Sequence, residues 1–161
     1  MNQTHIHLLI THLPIFGSML GGIVLAFGLW KKSDDTKIAA YLIFIISAIG
    51  AGTAYLTGEA AEHTVRDIQG VLKETIETHE ESAMYALISL IVLGLASIIG
   101  SFLTIKKSPM TRTIAFTILI VAIISFGLVV RTGYLGGQIR HTELTNNIAN
   151  PGLPSDKETD D

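Results

Sequence analysis

Four long apolar runs divide this chain, and none of them carries a stripe of polar residues that could face water. Leu8–Trp30, Ile38–Thr57, Ala83–Thr104 and Thr113–Val130 are each close to the length at which a helix, rising about 1.5 Å per residue, crosses about 30 Å of hydrocarbon. A soluble bundle would bury one face of each helix and wet the other, but ALISLIVLGLASIIGSFL and IAFTILIVAIISFGLVV are apolar all round. The composition agrees: 48% of the 161 residues are hydrophobic and 16% charged, with a mean hydropathy of +0.49. The expected fold is therefore all-α, an antiparallel four-helix transmembrane bundle over residues 1–141.

Residues 142–161 turn polar, with Asn146, Asn147, Asn150, Pro151, Pro154 and an acidic end, and are expected to form a disordered tail without a function of its own. Met1–Ile10 contains no Lys or Arg, so the first run reads as a retained span and not as a cleaved signal. Cations mark the orientation. Lys31, Lys32 and Lys37 follow the first run, and Lys106, Lys107 and Arg112 separate the third from the fourth. The positive-inside rule puts those short loops in the cytoplasm of a bacterium and both termini on the periplasmic side of its inner membrane. Trp30 at the inner rim and Tyr55, Tyr85 and Tyr134 at the outer one fit interfacial anchoring.

The long connection from Gly58 to Ser82 is acidic, and in it Ile68, Val71, Leu72 and Ile76 recur at helical spacing, which predicts a short interfacial helix between helices 2 and 3. Thr78-His79-Glu80-Glu81 has the form of a capping box and predicts that His79 lies in the first turn of the third helix. Pro14 admits two readings. Either it kinks a helix already running from near His5, freeing the Ile10 carbonyl, or it opens the helix with Thr11 or His12 as cap; the kink leaves the longer span and is preferred. Small residues recur four apart in Gly17-x-x-x-Gly21, Ala48-x-x-x-Gly52, Ala96-x-x-x-Gly100 and Gly133-x-x-x-Gly137, which predicts close helix packing and, beside histidines, room for a flat ligand.

All six histidines fall at one end of this arrangement. His5, His7 and His12 stand at the mouth of the first run, His63 just past the second, His79 just before the third and His141 just past the fourth. Ionisable groups at a membrane are expensive and point to function. On a continuous helix His5, His12 and Met19 form one stripe, while Glu59 and His63, four apart, share a face. The chain has no cysteine, which excludes c-type haem attachment, thiolate-held clusters and disulfides. There is no phosphate-binding loop, nucleophile triad or nucleic-acid signature either.

Two imidazoles from different helices supply the axial pair of a b-type haem, and His12 with His79 is the expected pair because the two lie at similar depth. His7, His63 and His141 are further candidates, and Arg131 is placed to meet haem propionates or to pair with Glu59 or Glu80; snorkelling to lipid headgroups is the plainer account of it. The expected function is a membrane redox protein with one haem near the outer face, exchanging electrons with a quinone or a periplasmic partner. A second reading is a non-haem copper, zinc or iron site built from His5, His7, His12, Glu59, Glu62, His63 and His79. In a third there is no cofactor, and clustered imidazoles titrating near about 6.5 make a structural or pH-responsive membrane module.

His7-Leu8-Leu9-Ile10-Thr11-His12-Leu13-Pro14-Ile15 and Gly133-Tyr134-Leu135-Gly136-Gly137 resemble the opening and closing signatures of a bacterial four-span membrane family known as a domain of unknown function. Its members tend to open with His-Pro-x-x-x-His-Phe-Pro-Ile and to close the last span with Gly-His-Leu-Gly-Gly. The resemblance implies that His7 and His12 are the histidines to watch at the start of the chain. Tyr134 stands where that family often has histidine, so no fourth-helix ligand carries over there, and His141 is the alternative. The layout is also similar to small four-helix b-type cytochromes, which implies haem between helices; since the inner half here has no histidine, one haem at most is implied.

Overall fold

The structure is a computed structural model that describes residues 10–65 and 73–140, the side chains of 59–65, 73, 75, 139 and 140 excepted. It consists of α1 (His12–Lys31), α2 (Asp34–Val65), α3 (Lys73–Ile105) and α4 (Thr111–Arg140), each packed against the next and α4 closing back onto α1. The four helices are each long and apolar enough to cross a membrane, as in an integral membrane protein. Only 28% to 39% of each apolar window is buried, so most of the apolar surface faces outward. Ile49, Leu56 and Ile123 are examples; in water such surfaces would associate, whereas lipid tails accept them.

The interior is a thin column of Leu25, Tyr41, Phe44, Leu90, Leu93, Ile118 and Ala122. Lipid gives apolar side chains little reason to leave it, so close approach must come from small residues. A methyl at Gly17 would lie 2.8 Å from Ser47, one at Gly21 2.5 Å from Phe44, and one at Gly28 3.0 Å from the Lys37 backbone. Those three glycines let α2 lie directly on α1, as the Gly17-x-x-x-Gly21 spacing leads one to expect. Ala48 meets Gly94 in the same way, and Gly100 meets Ile118 and Tyr41. Several buried hydroxyls bond to helix carbonyls: Ser18 and Ser47 both donate to Pro14, from the same helix and from α2, and Ser97 donates to Leu93, while Ser101 and Ser125 have no partner among the described residues.

Two tight turns close the hairpins at one end. The Ser33 N–H bonds the Gly28 carbonyl, and the Ser108 N–H bonds the Leu103 carbonyl, so both α1 and α3 finish in the same reversed-turn cap. The residues that take the left-handed conformation there are Lys32 (φ 54) and Lys107 (φ 51), not glycines. Ser33 then accepts a hydrogen bond from the Thr36 N–H and starts α2.

One expectation changes. Thr78 is no N-cap: α3 begins by Lys73, and the Thr78 hydroxyl donates back to the Glu74 carbonyl inside the helix, making His79 its seventh residue and not part of its first turn. The Thr-x-x-Glu pattern lies inside the helix, which includes Ile76, a buried residue upstream of it. At Pro14, Ile10 is helical, Thr11 keeps right-handed helical backbone angles (φ −59, ψ −22), and α1 runs on from His12. The chain is thus helical on both sides of the point where proline has no N–H to offer the Ile10 carbonyl, in keeping with the kink, and the stretch that follows is 20 residues long, enough for a span. Of the expected interfacial helix, Ile76 belongs to α3, while Ile68, Val71 and Leu72 lie outside the described residues, as do 142–161.

Candidate functional site

At the end of the bundle opposite the tight turns, α3 and α4 are joined by polar contacts. On α3, His79, Ser82, Ala86, Leu90, Leu93 and Ser97 follow at steps of three or four and form the stripe that faces the interior. His79 is the outermost of these six and half-buried. Its Nδ1 lies 3.1 Å from the Thr132 carbonyl oxygen on α4, and the Ser82 and Thr132 hydroxyls are 2.9 Å apart one turn further in.

A helix carbonyl is normally covered by the side chain four residues on, because Cα–Cβ bonds tilt toward the N-terminus. The residue four past Thr132 is Gly136. A methyl there would sit 3.0 Å from His79 Cε1 and 3.4 Å from Nδ1, so the missing side chain is what admits the imidazole. The sequence allowed glycine to seat a flat group beside histidine; the flat group is the protein's own ring.

The contact fixes the ring chemistry. A carbonyl oxygen only accepts, so in neutral His79 the proton resides on Nδ1 and the lone pair on Nε2. This is the arrangement that metal-binding histidines use, one nitrogen held by a backbone acceptor and the other nitrogen as donor to the metal.

His12 shares that level but faces another way. Ile15 of α1 approaches Gly133, with 4.0 Å between its Cδ1 and a methyl built there, and His12 is one turn outward of Ile15 as Gly136 is one turn outward of Gly133. Ile15, which ends one short motif, and Gly133, which begins the other, therefore lie side by side. The His12 ring is exposed and lies parallel to Phe16 at 6.1 Å, on the face away from buried Pro14 and Ser18. The structure thus gives His12 and His79 one depth, with His79 turned to the interior and His12 to the outside. Met19, one stripe position along from His12, is half-buried.

Arg131 and Tyr134 are exposed on α4, and Arg131 makes no ion pair among the described residues. Glu80 is half-buried beside His79, while Glu81 is exposed and accepts from the Tyr85 hydroxyl at 3.4 Å. Glu59, Glu62 and His63 fall on the last turns of α2, which does continue past Gly58; their side chains are outside the described set. His5, His7 and His141 lie outside the described residues. Among the described residues no three His, Asp or Glu side chains converge. Thr132, Ser82 and Gly136 were not singled out from sequence as His79's partners, although Gly136 belongs to a conspicuous glycine motif. In comparison with known proteins, no family model, no curated protein and no solved structure matches this chain.

Proposed function

We propose that this is an integral protein of a bacterial inner membrane that holds one b-type haem at its outer end, with His79 as an axial ligand, and passes electrons to or from a quinone or a periplasmic redox partner. The observation that carries this reading is the His79 seat, in which the Thr132 carbonyl accepts a hydrogen bond from Nδ1 and Gly136 makes room for the ring. A ligand held in this way keeps its orientation and gains basicity at Nε2. The second imidazole would come from the histidines at the start of the chain, His5, His7 or His12, of which His12 turns its ring to the outside. Haem bound there supplies one-electron transfer, and the chain supplies orientation and charge, with Arg131 on the same turn as Thr132 as the cation available to propionates. The orientation with both termini outside rests on the cations of the two tight turns, and the family resemblance of the two motifs is part of the same proposal.

Half-buried Glu80 next to His79 favours a second reading, a non-haem copper, zinc or iron site. Absorption spectroscopy of detergent-purified protein separates the two. A Soret band that shifts on dithionite reduction, and that is lost in His79→Ala, supports the haem. A colourless sample with stoichiometric metal by elemental analysis supports the second reading, and a sample with neither overturns both. A haem spectrum unchanged in His79→Ala overturns the ligand assignment.

A further inference from the structure

The opposite end of the bundle carries a second arrangement that electron transfer does not use. Ala26, Leu29, Phe116 and Leu119 wall an apolar groove of about 360 Å³ in the seam between α1 and α4, with Lys32 and Arg112 at its mouth. It opens into a depression of about 460 Å³ at the tight turns, to which Lys107, Ser108 and Thr111 contribute as well as Lys32 and Arg112. The carboxylate in that lining, Asp34, is 2.7 Å from Lys37 and pairs with it, leaving Lys32, Lys107 and Arg112 as a cationic set. Arg112 lies along Phe116, 5.8 Å from the ring centre, over the groove.

The backbone gives an independent reason to connect these cations with a ligand. Lys32 and Lys107 occupy the left-handed cap positions of α1 and α3, where glycine fits without strain and an L side chain does not. Lysine is present at both, and both line the same depression. Residues kept in unfavourable conformations mark places where the side chain is needed.

We propose that this site binds one anionic diacyl phospholipid, its phosphate among Lys32, Lys107 and Arg112 and one acyl chain along the α1–α4 groove. Phosphate needs convergent cations, an acyl chain needs a dry groove continuous with them, and the positive end of α4 adds to the attraction. The site rests on the membrane reading above and is independent of the haem.

Native mass spectrometry of the full chain in detergent tests it with phosphatidylglycerol, phosphatidylcholine of the same acyl chains, and inorganic phosphate. One phosphatidylglycerol should bind per chain about tenfold or more tightly than phosphatidylcholine. Lys32→Gly keeps the turn geometry and should weaken binding about fivefold, the effect of one cation near an anionic headgroup. Ala26→Trp fills the groove and should weaken binding with every cation intact, and Lys106→Ala, outside the lining, should leave it unchanged. Equal binding of the two lipids, wild-type binding in both Lys32→Gly and Ala26→Trp, or full displacement by inorganic phosphate overturns the lipid site. Recovery of the chain in the soluble fraction of lysed cells would instead overturn the membrane reading itself.

Discussion

Alanine at Gly136 and alanine at Gly137 should move stability in opposite directions. Replacing glycine by alanine within a helix gains up to about 1 kcal/mol from the backbone. At Gly137 nothing lies within 4 Å of the added methyl, so that gain is kept. At Gly136 the methyl arrives 3.0 Å from His79 Cε1, and the ring must retreat by a few tenths of an ångström from a carbonyl it holds at 3.1 Å. Overpacking of this kind costs about 1–3 kcal/mol, and the strained hydrogen bond contributes up to about 1 kcal/mol more. The gap between the two variants is then about 1–4 kcal/mol, or several degrees at about 2–4 °C per kcal/mol for a chain of this size. Thermal unfolding in detergent, followed by circular dichroism, measures it. The same substitution in a His79→Ala background should recover most of the loss, because the penalty belongs to the pair. An equal rise in Tm for Gly136→Ala and Gly137→Ala, or no recovery in the double variant, would refute the seat.

Lys32→Gly and Lys107→Gly should each raise stability by about 0.5–1 kcal/mol by relieving left-handed lysines, read as a higher Tm in lipid-free detergent. A fall would show that those caps gain more from the lysine side chain than the conformation loses. Gly21→Ala should destabilise by about 1–3 kcal/mol, because its methyl would lie 2.5 Å from the Phe44 ring. Gly22→Ala next to it meets nothing within 4 Å and should be neutral or stabilising, by the same unfolding assay.

The helices were legible because hydrocarbon imposes a length and a composition that few other environments do, and Gly17-x-x-x-Gly21 announced the α1–α2 contact through the size of its residues. Helix ends were less so. Thr78-His79-Glu80-Glu81 looks like a start, but the helix already includes buried Ile76 upstream of it, and a serine or threonine hydroxyl inside a helix bonds backward just as readily. The direction of His12 was also hidden. Periodicity puts His12 and Met19 on one stripe, but α1 is apolar all round, so the pattern does not say which stripe turns inward; glycines, Pro14 and Ser18 decide that. Thr132 could not be picked out because its backbone carbonyl, the group that holds His79, has no signature of its own, and the neighbouring glycine that exposes it reads equally well as packing.

The unequal helices have a consequence for access from water. α1, with 20 residues, is about 30 Å long and matches the hydrocarbon, whereas α2 and α3, with 32 and 33, reach about 48–50 Å. In a bilayer whose hydrocarbon α1 just spans, His79, level with the start of α1, would stand at the outer edge of the oily slab. An imidazole at that height would be hydrated on one side while the bundle grips the other. Protons, ions or a docking protein arriving from the aqueous phase would therefore reach it without entering oil.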